Sequence, residues 1–225
     1  MARKRLGLIV PSSNSVMEVD FYRRLPEDLT LHTARMYLQE TTVEGESRML
    51  DDFLPRAVED LRSVRPHVVV FGCTSAGALR GNAYEAGLVA EISRSCGCPV
   101  VSVISAVRRN FARIGAKTTV VITPYVSELN ERVRKSVEED GVRVLEIRGL
   151  GIDLNFEIAN VDPSRIAEMA AGVARAHTPD AIFLSCTNFR GLEAADKVSR
   201  ITGLPVVTSN GAALDAVLEI VNSKA

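Results

Sequence analysis

The sequence predicts an α/β protein of two similar halves, each a parallel sheet flanked by helices, with the functional site in the cleft between them. Three observations lead there. Short apolar runs bounded by Gly, Pro or polar residues alternate with segments of helical period. Matching motifs occur twice along the chain: RPHVVVFGCTSAG (65–77) resembles TPDAIFLSCTNFRG (178–191), and LGLIVPSSN (6–14) resembles TVVITPYVS (119–127). The spacing also repeats, with 62 residues from Pro11 to Cys73 and 62 from Pro124 to Cys186.

Taken in order, LGLIV (6–10) is the first strand. The basic residues before it suggest a leader, but the apolar run reaches Pro11 after five residues, too short for a signal core or a membrane span. Segment 51–64 carries apolar residues at helical period, and HVVVFG (67–72) follows as a strand. Helix 84–95 leads to PVVSV (99–103), and SVISAVRRNF (102–111) makes the crossing into the second half. There TTVVIT (118–123), VRVLEI (142–147), DAIFLS (180–185) and PVVTS (205–209) read as strands, with helices at 127–140, 163–177 and 191–202. Near-continuous β-branched runs of this length suit strands buried on both faces, as in parallel sheets. The last helix, 211–222, is expected to pack back on the first half. The division is therefore 1–104 plus 208–225 for one half and 105–207 for the other.

Composition narrows the function. The 225 residues are 46% apolar and 24% charged, with 27 basic against 28 acidic residues and a formal net charge of −1. No block of like charge suggests a nucleic-acid tail. Aromatic residues are sparse and Trp is absent, which argues against base-stacking platforms. No nucleic acid and no membrane are expected as partners, and the protein is expected to be cytoplasmic. Its four cysteines, Cys73, Cys96, Cys98 and Cys186, are expected to be reduced thiols. Neither they nor His32, His67 and His177 have metal-ligand spacing, so no metal is expected.

Chemistry is expected at the strand ends. Cys73 and Cys186 each end a strand and precede Thr: Thr74 and Ser75 follow the first, Thr187 and Asn188 the second. A single free Cys is usually a buried core residue. Two at matched positions of a repeat point to a site. A helix N-terminus after each would lower the thiol pKa, and Thr74 and Ser75 suit a cap or a carboxylate. Two thiols across a cleft suit one as nucleophile or base and the other as proton donor from the opposite face. No cofactor is needed, and neither a dinucleotide fingerprint nor a P-loop is present. Ser12, Ser13 and Asn14 sit in a loop that could be a turn and cap or a carboxylate cradle. Tyr125, in the matching loop, and Asn155, after Gly151-Ile152-Asp153-Leu154, are further candidates for substrate contact, each with an ordinary structural alternative. Glu18 and Asp20 are expected on an outward helix face, leaving no acidic residue beside either Cys-Thr motif.

With VPSSNSVME (10–18), FGCTSAG (71–77), TPY (123–125) and LSCTNFRG (184–191), the chain resembles the aspartate/glutamate racemase superfamily, and within it the maleate cis-trans isomerase branch. The resemblance implies flavodoxin-like halves, a homo-oligomer (dimer or larger) and a small dicarboxylate substrate. It implies that Cys73 adds to the double bond of maleate and that the adduct rotates and eliminates fumarate. Cys186 would donate and accept the proton, and Asn14, Tyr125 and Asn155 would hold the carboxylates and the adduct. Departures at Ser15, Ala78-Leu79 and Phe189-Arg190-Gly191 bear on the substrate more than on the mechanism. Two alternatives in the superfamily are a racemase of aspartate, glutamate or a hydantoin, with the cysteines as opposed bases, and an arylmalonate-type decarboxylase. The latter works with a single second-half cysteine, so Cys73 argues against it. A non-enzymatic carboxylate binder would not need two thiols.

Overall fold

A computed structural model describes residues 3–223. The first half runs β1 (Lys4–Pro11), α1 (Met17–Tyr22), β2 (Leu29–Met36), α2 (Val43–Arg48), a π-helical turn (Met49–Phe53), α3 (Leu54–Arg62), β3 (Val68–Phe71), α4 (Thr74–Ala78), α5 (Asn82–Cys96) and β4 (Val100–Ser102). Helix α6 (Val103–Ile114) crosses to β5 (Thr118–Thr123), α7 (Ser127–Glu138), β6 (Arg143–Gly149), α8 (Asn155–Ile158), α9 (Pro163–His177), β7 (Ala181–Leu184), α10 (Gly191–Thr202), β8 (Val206–Thr208) and α11 (Ser209–Ser223).

The two sheets have the same parallel topology, β2-β1-β3-β4 and β6-β5-β7-β8. Equivalent bonds recur at an offset of 113 residues: Gly72 N–H donates to Ile9 O at 2.7 Å, and Ser185 N–H to Ile122 O at 2.9 Å. Residues of β3 and β7 are buried on both faces, as their uninterrupted apolar sequences require. In an open parallel sheet the C-terminal strand ends meet the helix N-termini, which places Cys73 and Cys186 at the ligand-binding edge. Helix α6, after β4, and helix α11, after β8, pack on each other, and α11 also touches β3, β4 and α1 of the first half.

Three expectations need correction. Strand β2 lies outside the expected set: its LTLHTARM mixes polar with apolar residues because it is an edge strand in which Leu29, Leu31 and Met36 alone are buried. The helix expected at 51–64 is instead a longer helical run that begins at Val43 and passes through the π-helical turn at Met49–Phe53. Asn155, expected in a loop, opens the one-turn helix α8 and is 3% exposed.

Candidate active site

The two cysteines are buried, at 5% and 7% exposure, and free. Cys73 precedes α4 in an extended conformation, with φ −140°. Cys186 has φ +110°, a region a non-glycine residue rarely adopts, and such strain concentrates at functional sites. Ser209 Oγ accepts the Cys186 N–H at 3.0 Å, and the Asn188 N–H donates to Cys186 Sγ at 3.3 Å, fixing that backbone. Cys73 Sγ lies 3.9 Å from Ser75 Oγ.

The residues beside the cysteines tie the halves together. Thr187 Oγ1 donates to the Gly72 carbonyl at 3.0 Å and accepts from Asn14 Nδ2 at 3.0 Å. Thr74 Oγ1 donates to Ser209 Oγ at 2.8 Å. Asn14 Oδ1 accepts the N–H groups of Val16 and Met17, both at 3.0 Å, so the loop's cap reading holds for this residue. Asn188 Oδ1 accepts the Ser15 N–H at 2.9 Å, and its Nδ2 donates to Asn155 O at 2.6 Å. Asn155 in turn donates to Ser13 Oγ at 2.7 Å and accepts from Thr41 Oγ1 at 3.2 Å. Ser13 Oγ donates to Leu38 O at 2.7 Å, and Ser12 Oγ accepts the Leu38 N–H at 3.1 Å. Ser13, Asn14, Asn155, Cys186, Thr187 and Asn188 thus lie on a polar network that spans the halves, while Cys73 and Ser75 form a separate cluster with Glu46 and Tyr125 Oη stays outside both.

The loops after β2 and β6 close over this network. Glu40 and Leu154 form an antiparallel bridge, Thr41 N–H donates to Asp153 O at 2.6 Å, and Asn155 N–H to Gln39 O at 3.0 Å. Outside the clasp, Ser12, Ser13, Tyr37, Leu38, Gln39, Leu154, Phe156 and Glu157 line a hollow of about 330 Å³.

Four ionisable groups share the interior. Burial, then the charge of Glu46, pushes the Cys73 thiol well above its ordinary range, and Cys186 adds to the rise. Burial pushes Cys186 up to about 11 against the lowering effects of Tyr125 and the Asn188 N–H. Tyr125 is likewise raised by burial, then by Cys186, Cys73 and Glu46. Its hydroxyl is close enough to influence Cys186 but makes no hydrogen bond of good geometry. The lowered thiol pKa expected from the helix N-termini is therefore corrected. The backbone N–H of Ala76 does lower Cys73, but burial without a cationic partner outweighs it.

Two acidic residues also depart from expectation. Asp20 is buried, not outward, and accepts from Asn210 Nδ2 at 2.7 Å. Glu46 is fully buried, accepts a hydrogen bond from Ser75 Oγ, and is raised by burial to about 8. Its position follows from the helix cap: Thr42 Oγ1 accepts the Gly45 N–H at 3.1 Å and starts α2 so that Glu46 falls on its buried side. An acidic residue therefore does stand beside the first Cys-Thr motif.

Matched flavodoxin-like halves, each bringing one thiol to a common buried site, define a class of pseudo-symmetric two-cysteine α/β proteins. Within that class the chain belongs to the arylmalonate decarboxylase family, whose model matches residues 6–225. It is 28% identical to the maleate isomerase of Geobacillus stearothermophilus over 98% of this chain and 92% of that one. It is also 28% identical to the arylmalonate decarboxylase of Bordetella bronchiseptica, over 92% and 86% of the two chains. Its fold matches a cysteine-to-alanine variant of the maleate isomerase from Pseudomonas putida S16, solved with maleate, with a TM-score of 0.88 and 27% identity. The match covers 97% of this chain and 92% of that one.

Proposed function

We propose that this protein is a cofactor-independent cis-trans isomerase that converts maleate, or a related small cis-unsaturated diacid, to the trans isomer. The observation that carries the reading is the closeness of Cys73 and Cys186, thiols from opposite halves: Cys186 raises Cys73, and both act on Tyr125. A decarboxylase needs one thiol in the second half, and the presence of Cys73 beside it favours the isomerase. Full-length likeness to maleate isomerases supports the same reading.

In the reacting form Cys73 has lost its proton to solvent, against the rise that burial imposes on it, and Cys186 keeps its own. The Cys73 sulfur adds to one alkene carbon, and the π electrons move to the other carbon and its carboxylate. Cys186 gives that carbon its proton. The bond between the two carbons is now single and rotates. Cys186 then removes a proton from the same carbon, the C–S bond breaks, and Cys73 leaves as thiolate. Ser12, Ser13, Asn14, Thr74, Ser75, Tyr125, Asn155, Thr187 and Asn188 shape and brace the substrate cavity. Ser12 and Ser13 also line the hollow outside the clasp.

Glu46 favours a second reading, an amino-acid racemase, because an ionised carboxylate beside Cys73 would pair with a substrate ammonium. Its burial favours the neutral acid, and hence the first reading. A panel of acids in deuterated buffer tests both. Maleate turning to fumarate supports the isomerase; hydrogen exchange at Cα of aspartate without maleate turnover would replace it with the racemase.

The same reading divides the chain into 1–104 plus 208–225 and 105–207, which is supported by the separate sheets and by α11 lying against β3 and β4. It also places the enzyme in the cytoplasm, where its thiols stay reduced, as a homodimer or larger. No helix among the described residues is long and apolar enough to cross a membrane.

A further inference from the structure

We propose that Glu46 acts as a neutral hydrogen-bond donor that holds the substrate carboxylate next to the carbon attacked by Cys73. This inference rests on the isomerase reading for the identity of the anion. Glu46 is fully buried, with Ser75 Oγ donating to its Oε1 and its Oε2 buried without a partner. Tyr125 Oη is also buried without a partner, and Glu46 influences Tyr125, Cys73 and Cys186 electrostatically. Buried polar atoms without partners are rare, and two of them beside two reactive thiols mark the place of a ligand.

The protonation state decides what Glu46 can do. The titratable groups that face it are Cys73, through Ser75, and beyond it Cys186 and Tyr125; all are neutral when protonated, and the thiolate that Cys73 carries in the reacting form favours the acid form of Glu46 further. Arg48, Asp51 and Asp52, on its own helix and the following turn, are exposed and pair with Asp52, Arg80 and Arg48. No cation among the described residues offsets a charge on Glu46, so burial holds it in the acid form up to a pH of about 8. Because Ser75 donates to Oε1, the acid proton belongs on Oε2, where it can be given to an anion. A carboxylic acid kept neutral can hold a carboxylate that an ionised one would repel.

The test is the ratio of kcat/KM for Glu46→Gln to that of the wild type, measured with maleate from pH 6.5 to 9.5. The Gln amide keeps a donor at every pH. The ratio is expected to be constant below about pH 7 and to rise about tenfold per pH unit above 8, the ionisation of one group. Glu46→Leu, which keeps volume but not the donor, is expected to raise KM at least tenfold with a smaller change in kcat. A flat ratio, or a Gln variant as impaired as the Leu variant, overturns the proposal.

Calorimetry of wild-type protein with succinate at pH 9, in buffers of different ionisation enthalpy, needs neither a variant nor turnover. Proton uptake on binding is expected, and binding without uptake overturns the proposal. If maleate is not turned over yet succinate still takes up a proton that Glu46→Gln abolishes, the isomerase reading fails while the role of Glu46 stands.

Discussion

Thr187 Oγ1 donates to the carbonyl of Gly72, so the residue after one cysteine is fastened to the residue before the other. The two thiols are thereby held across the boundary of the halves by a buried bond rather than by the loops alone. Thr187→Val keeps the shape but leaves the Gly72 carbonyl and the Asn14 amide unpartnered. We expect a loss of about 2 kcal/mol of stability in urea titrations. A further expectation is a fall of kcat of about tenfold or more, because small misplacement of reacting groups is costly.

Replacing each thiol should separate the two roles. Cys73→Ser is expected to lower kcat by at least about 10³-fold, since a hydroxyl is a poor nucleophile without a base. Cys186→Ser is expected to lose a similar factor while still allowing addition at Cys73. Single-turnover assays of fumarate release give the rates, and equal, small losses in both variants would count against the division of labour.

Burial of the thiols predicts their labelling. With Cys186 pushed up to about 11, little of it is thiolate at neutral pH. Iodoacetamide at pH 8 should modify the half-buried Cys96 before Cys73 or Cys186, and the rate at Cys186 should keep rising as pH approaches 11. Peptide mass mapping over a pH series checks the order.

Glu46 makes stability depend on pH in a defined direction. Its folded value, about 8, lies above its ordinary 4.5, so the folded chain binds the proton more tightly. That contribution is fully present below 4.5 and is lost as pH rises to about 8. Urea titrations should show this decline in wild-type protein and a flatter profile in Glu46→Gln.

The sequence makes the paired thiols readable because their signal is local and doubled: apolar strand, small residue, Cys, Thr. The topology is readable for the same reason, since strands buried on both faces declare themselves by uninterrupted apolar runs. Glu46 is not readable. It lies in Val43–Arg48 between the exposed charges Glu44 and Arg48, which mask it, and it turns inward because it shares the helix phase of Val43 and Leu50. Ser209 and Asn210 follow the PVVT strand, and their signal was the polar pair at a strand end matching those of the cysteines. The raised thiol pKa is not readable either, because helix N-termini are visible in sequence while the extent of burial around them is not.

The central claim is a carbon–sulfur bond between substrate and Cys73, and mass spectrometry of the Cys186→Ser variant mixed with maleate tests it most directly. The account predicts that the peptide containing Cys73 gains the mass of a succinyl group, and that Cys73→Ala in the same background does not. An unmodified Cys73 peptide in a variant that still converts maleate to fumarate would contradict it.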